Sequence, residues 1–268
     1  MPPPILQVLG SLVIGEMSFE QLRPILDYSE DLRTRILALA NSAAYSPANP
    51  IKDVRHAGVI VGQRRALGLS LAHSLGNTFQ NGVSVHGHTQ SGLMTHSLAT
   101  ATTSWVIADM LGLSNEEGGT LYVAGIFHDV GKAVLAQYLR LFSCELDFSA
   151  TPLEAPGLAT LEQERLGMDH TEVSVMIGRH WGLSDAVLHL IENHHRPSGD
   201  LLSSILHIAD YLTSGIVGAG FEQDSPVEAP IDTRSLELVI QNPEQFIAAE
   251  QFAFRECALA TSTMELLL

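Results

Sequence analysis

Histidine and aspartate recur in this chain on stripes that a helix would turn towards a core. Leu121, Ala124, Gly125 and His128 follow the i, i+3, i+4, i+7 spacing of a buried helical face, and Asp129 comes directly after. Val187, Leu190, Ile191 and His194 repeat that spacing, with His195 next. Leu202, Leu206 and Asp210 stand at i, i+4, i+8, which sets a carboxylate on an apolar face. His96 lies one turn into a helix whose following neighbours on the same face, Ala99, Thr100 and Thr103, are all small. A buried carboxylate is normally paired or bound to a cation. Imidazole and carboxylate without thiolate suit Fe, Mn, Zn, Co or Ni rather than a closed structural zinc site. A single buried histidine is more often a hydrogen-bonded core residue. At this level two readings therefore stand, a cation cluster and a core of hydrogen-bonded imidazoles.

His170 and Lys132 are open in a similar way. Asp169 with Glu172 forms a capping box, so His170 opens a helix and either reaches a neighbouring site or stays at the surface. Lys132 follows Asp129 by one helical turn, as a salt-bridge partner or as a cation for a substrate phosphate. His180, His189 and His207, like His86 and His88, are expected outside any ligand set, with His207 at most adjacent to it. His56 and His73 read as helix surface or core residues.

The elements that must position these residues are helical nearly throughout. Ser18 and Gln21 form a capping box for a first helix through Leu26, and a second runs over 29–44 until Tyr45-Ser46-Pro47. Asp53 caps a short helix ending near Gly62, and another covers 63–79. No convincing alternating strand appears, the best candidate, Val59-Ile60-Val61, being only three residues long. A Gly-rich polar stretch at 80–92 marks a junction between lobes, 1–80 and 93–268. Helices are expected at 93–111, 115–128, 131–143, 170–181, 185–195 and 200–215, with a loop at 149–160. An internal break at 222–230 precedes helices at 234–240 and 243–266. The fold class is all-α.

Composition bounds the function. Of 268 residues, 46% are hydrophobic and 16% charged, enough apolar content for a sizeable core. No apolar run approaches the roughly 20 residues of a membrane span, and no basic region precedes the N-terminal apolar part as in a secretory signal. Two cysteines, Cys144 and Cys257, fit a reducing cytoplasm rather than a disulfide framework. Fourteen Lys and Arg against 30 Asp and Glu give a net charge of −16, which argues against duplex nucleic acid as a partner.

Taken in order, His96, His128-Asp129-Val130-Gly131-Lys132, His194-His195 and Asp210 resemble the metal-binding pattern of the HD superfamily. The HDOD branch, signalling relatives of HD-GYP proteins, is the nearest likeness. LRTRILALANSAAY at 32–45, AGIFHDVGKAVL at 124–135, ERLGMDHTEVSVMIGRHWGL at 164–183, ENHHRP at 192–197 and HIADYL at 207–212 carry it, over about 4–215. The resemblance implies a two-lobed helical fold, with an N-terminal HDOD lobe and an HD-like metal-binding lobe. It implies one divalent metal on His96, His128, Asp129 and Asp210, and a second on His170, His194 and His195 with Asp129 bridging. It also implies a regulatory role through a signalling protein partner, with a metal-dependent phosphohydrolase acting on a nucleotide or other phosphate ester as the alternative. Two departures from HD-GYP proteins argue against cyclic di-GMP hydrolysis, and the second also favours the regulatory role. HD-GYP proteins carry Glu where this chain has Gly92, and Arg196-Pro197-Ser198-Gly199 stands where their Gly-Tyr-Pro loop would follow.

Overall fold

The computed structural model describes residues 20, 23–24, 26, 29–42, 45–78, 90–141, 158–217 and 231–267. Helices make up the regular structure, and no strand occurs among the described residues. The cap at Ser18 and Gln21, the junction from 80 to 89, His86, His88 and the break at 222–230 lie outside them.

Helix α1 (Glu30–Ala40) starts where Ser29 Oγ accepts the Leu32 N–H, and Glu30 and Asp31 favour its positive end. It stops short of the expected residue 44. Asn41 ends it by turning its side chain outwards, donating to Leu37 O and Ile51 O at 2.8 Å each and accepting the Ile51 N–H at 2.7 Å. That clamp holds the chain against the start of α2 (Val54–Val61), which Asp53 caps and Gly62 ends at φ 89°. Val59, Ile60 and Val61 are thus helical, within the short helix expected from Asp53 to near Gly62. Helix α3 (Gln63–Thr78) follows.

The centre of the molecule is α4 (Gln90–Met110), which packs on α5 (Asn115–Phe127). Helices α6 (Val130–Leu141), α7 (Leu158–Leu166), α8 (His170–His180) and α9 (Asp185–Asn193) follow, then α10 (Leu201–Val217), α11 (Thr233–Val239) and α12 (Pro243–Leu267). Both α10 and α12 also lie on α4, whereas α6 packs on α8 and α9 on α5. The apolar core is one cluster, running from Leu32 and Ile36 through Leu98 and Ala101 to Ile191, Leu206 and Ala253. Of the loop expected at 149–160, residues 149–157 lie outside the described residues, and 158–160 are helical instead, because Leu158 and Leu161 bury one face of α7.

A polar tie joins α3 to α12. The Arg65 guanidinium of α3 donates to Tyr45 Oη at 3.1 Å and to the Glu256 carboxylate of α12, which is buried. Removing one member leaves the other charge in a poorly solvated place. Arg65→Ala should therefore lower unfolding free energy by about 3 kcal/mol, read as a shifted urea midpoint with an unchanged slope.

Candidate metal centre

Two histidines reach the centre by the same local device. His128 caps the C-terminus of α5, and its Nδ1 donates back to Gly125 O at 2.8 Å. His194 caps α9, and its Nδ1 donates to Ile191 O at 2.7 Å. Each bond holds the ring with Nδ1 protonated and turns Nε2 inwards. His207 supports the second of these turns, donating from Nδ1 to His194 O at 2.7 Å and accepting the Asp232 N–H on Nε2 at 2.9 Å. Both its nitrogens are used, so it braces the site from outside.

His96 of α4 and Asp210 of α10 close one side. His96 Nε2 lies 2.9 Å from Asp210 Oδ1, 3.2 Å from His128 Nε2 and 3.6 Å from Asp129 Oδ2. His128 Nε2 is 3.4 Å from Asp129 Oδ2 and 3.5 Å from Asp210 Oδ1. On the other side His170, the first residue of α8, faces Asp129 Oδ1 at 3.5 Å and His195 Nε2 at 2.8 Å. His194 Nε2 stands 3.7 Å from Asp129 Oδ1, and His195 Nδ1 is 3.8 Å from Asp210 Oδ2. Asp129 thus shows one oxygen to each side. All seven residues singled out from sequence come together here.

Lys132 is also there, with Nζ donating to Asp129 Oδ2 at 2.8 Å, and it is only 1% exposed. Sequence reading missed Glu162 on α7. This fully buried carboxylate accepts the backbone N–H and the Nδ1–H of His170 at 2.8 and 2.5 Å. Its signal was faint: a Glu one turn after Leu158 and next to Leu161, in a stretch opened by Pro156-Gly157. His180 and His189 are exposed and His73 is buried near Asp31, all outside the ligand-capable groups.

Electrostatics organise the cluster. Burial works against charge on His128, yet Asp129 and Asp210 outweigh it and push the imidazole up to about 10. Burial alone would raise Asp129 and Asp210. Neighbouring His128 holds both well below the usual carboxylate range, with Lys132 adding to the effect at Asp129 and His96 at Asp210. Burial drives His194 and His195 down, so they stay neutral at pH 7.

These residues fit a divalent cation. Three overlapping groups bring their ligand atoms within 4.8 Å of one another: His96, His128 and Asp129; His128, His194 and Asp210; and Asp129, His170, His194 and His195. Asp129 Oδ1 and His194 Nε2 are both buried without a hydrogen bond, as acceptors suited to a cation would be.

Comparison with known proteins accords with this architecture. The family model of the HDOD domain matches residues 1–197, and the chain belongs to that family. An HDOD domain protein of unknown function from Geobacter sulfurreducens superposes with a TM-score of 0.65 at 21% identity, covering 100% of this chain and 92% of its own. A protein from Marinobacter aquaeolei VT8, provisionally named for signal transduction, gives 0.72 at 18% identity over 100% of this chain and 59% of its own. One from Shewanella amazonensis SB2B, provisionally named a metal-dependent phosphohydrolase, gives 0.58 at 15% identity over 97% and 91%. At these identities the likeness is one of fold. Among curated proteins, Ribonuclease Y of Mycoplasmoides gallisepticum is 26% identical over 155 residues, 56% of this chain but only 23% of that protein's length. No described helix is long and apolar enough to cross a membrane.

Proposed function

We propose that this chain is a signalling module that works through contacts with a partner protein, and that its His/Asp centre holds one or two divalent transition metals as a brace between helices. The observation that carries this reading is burial. His128, His170 and His194 are fully buried, and His96, Asp129, Lys132 and Asp210 are each at most 4% exposed. A phosphodiester in attack geometry needs an open face beside the metals, whereas a brace needs none. Lys132, spent on Asp129, neutralises the carboxylate instead of waiting for a phosphate. His96, His128, Asp129 and Asp210 would hold the first ion, and His170, His194 and His195 a second, with Asp129 between them.

The phosphohydrolase reading rests on the complete donor set. Bound metals would there supply Lewis acidity and a hydroxide at neutral pH. Asp129 would orient the ions, and His195, the one partly exposed member, would face the substrate. A screen of metal-reconstituted protein against nucleotides, cyclic dinucleotides and a generic phosphodiester separates the two. The module predicts metal content near one or two per chain with no turnover above buffer. Turnover that disappears in His128→Ala would reject the module in favour of the enzyme.

Metal uptake should also release a proton. A ligand imidazole must be neutral, but in the metal-free cluster His128 keeps its proton up to about pH 10. Between neutrality and that value apparent affinity should rise with pH, by at most about tenfold per unit. Indicator titration in weak buffer checks this, and metal binding with no proton release at pH 7 would contradict it.

A further inference from the structure

His170 differs from the other fixed histidines in what holds it. The Nδ1–H groups of His128 and His194 donate to neutral backbone carbonyls, of Gly125 and Ile191. The Nδ1–H of His170 donates to the Glu162 carboxylate at 2.5 Å, and the same oxygen, Oε2, takes the His170 backbone N–H at 2.8 Å. One buried oxygen therefore fixes both the start of α8 and the ring that follows. A charged acceptor makes a stronger hydrogen bond than a carbonyl and pushes electron density towards the far nitrogen. That nitrogen, Nε2, faces Asp129 Oδ1 at 3.5 Å and His195 Nε2 at 2.8 Å.

Glu162 also comes from a helix that supplies none of the seven clustered His and Asp residues. Helix α7 packs on α8, while the His96, His128 and Asp210 side is built by α4, the α5–α6 turn and α10. A change at Glu162 should therefore act on one side of the cluster and spare the other. We infer that Glu162 is the positioning residue of the second cation subsite: it locks His170 as the Nδ1–H tautomer with its Nε2 lone pair turned to Asp129, and so sets how tightly His170, His194 and His195 hold an ion. This rests on the two-cation form of the reading above.

Glu162→Gln keeps the volume and removes the charge. Two measurements on the full chain test it. In manganese titrations followed by electron paramagnetic resonance, the wild type should take up two ions, with a spin-coupled signal at full loading. The variant should bind the first within about threefold of wild type and the second about 10- to 100-fold more weakly. In metal-free protein, nitrogen-15 NMR of labelled histidine should show His170 as the Nδ1–H form in the wild type, and Glu162→Ala, which removes the acceptor altogether, should lose that signature. A folded Glu162→Gln with second-ion affinity within threefold of wild type, or a folded Glu162→Ala with an unchanged His170 signal, would overturn the inference. If Glu162→Gln does not fold, Glu162→Asp retains the charge with a shorter reach and should show the same loss, smaller in size. A wild type that binds fewer than two ions overturns the two-cation reading and the affinity claim with it. The His170 signal then decides, by itself, whether Glu162 positions the ring.

Discussion

Asp129→Ala should empty the centre of metal and also destabilise the metal-free protein by about 3 kcal/mol. Both effects follow from its place between the two sides, where its oxygens face His96 and His128 on one and His170 and His194 on the other. Without the carboxylate neither group keeps a bridging anion, so metal content should fall to below about one-tenth per chain. The stability loss has a separate cause. Lys132, 1% exposed, loses the carboxylate 2.8 Å away, and His128 loses the partner that favours its charged form. For a domain of this size the loss corresponds to roughly 10 °C in Tm. A second substitution separates the causes. Adding Lys132→Met to Asp129→Ala should restore a good part of the stability and none of the metal. His56→Ala, on the exposed side of α2, should change neither quantity. Wild-type metal content in Asp129→Ala, measured by elemental analysis, would remove the proposed centre.

That prediction could be framed from sequence because a polar residue on an apolar stripe is visible without coordinates. His128, His194 and Asp210 each continue a run of buried aliphatic residues at helical spacing, and burial then forces the question of what balances the charge. The helices themselves were legible for the same reason. What sequence could not resolve was which of two chemically sound partners a residue would choose. Lys132 could have faced solvent and a phosphate as well as Asp129, and only the packing of α6 on α8 decides it. Asn41 could have continued α1. Its side chain instead clamps Ile51, a contact ten residues away that no local propensity encodes. Glu162 was hidden because a short helix after a Pro-Gly pair gives too few turns for its apolar period to stand out from a loop.

The close approaches that set the cluster's dimensions are equally silent in sequence, and they yield the second large effect. A Cβ on Gly131 would stand 2.1 Å from the carbonyl oxygen of His170 and 2.9 Å from the backbone nitrogen of Ser174. Both are backbone atoms, so no side chain can swing aside. Gly131 also donates its N–H to Ser174 Oγ at 2.9 Å, which seats α6 directly on α8. Gly131→Ala must part the two helices by roughly 1 Å before ordinary van der Waals separations return. The expected cost is about 3 kcal/mol, at the upper end of overpacking in a well-filled core. His170 would be drawn from Asp129, so the second ion should be lost while His96, His128 and Asp210 still hold the first. Gly125→Ala should do the converse. Its Cβ would meet Ala101 Cα at 2.5 Å, forcing α4 from α5 and His96 from His128. A matched pair of metal titrations reads both, with Tm confirming that each variant is folded. If both variants lose the same ion, or if neither loses any, the two sides of the cluster are not set by these helix pairs, and the division of ligands between them is wrong.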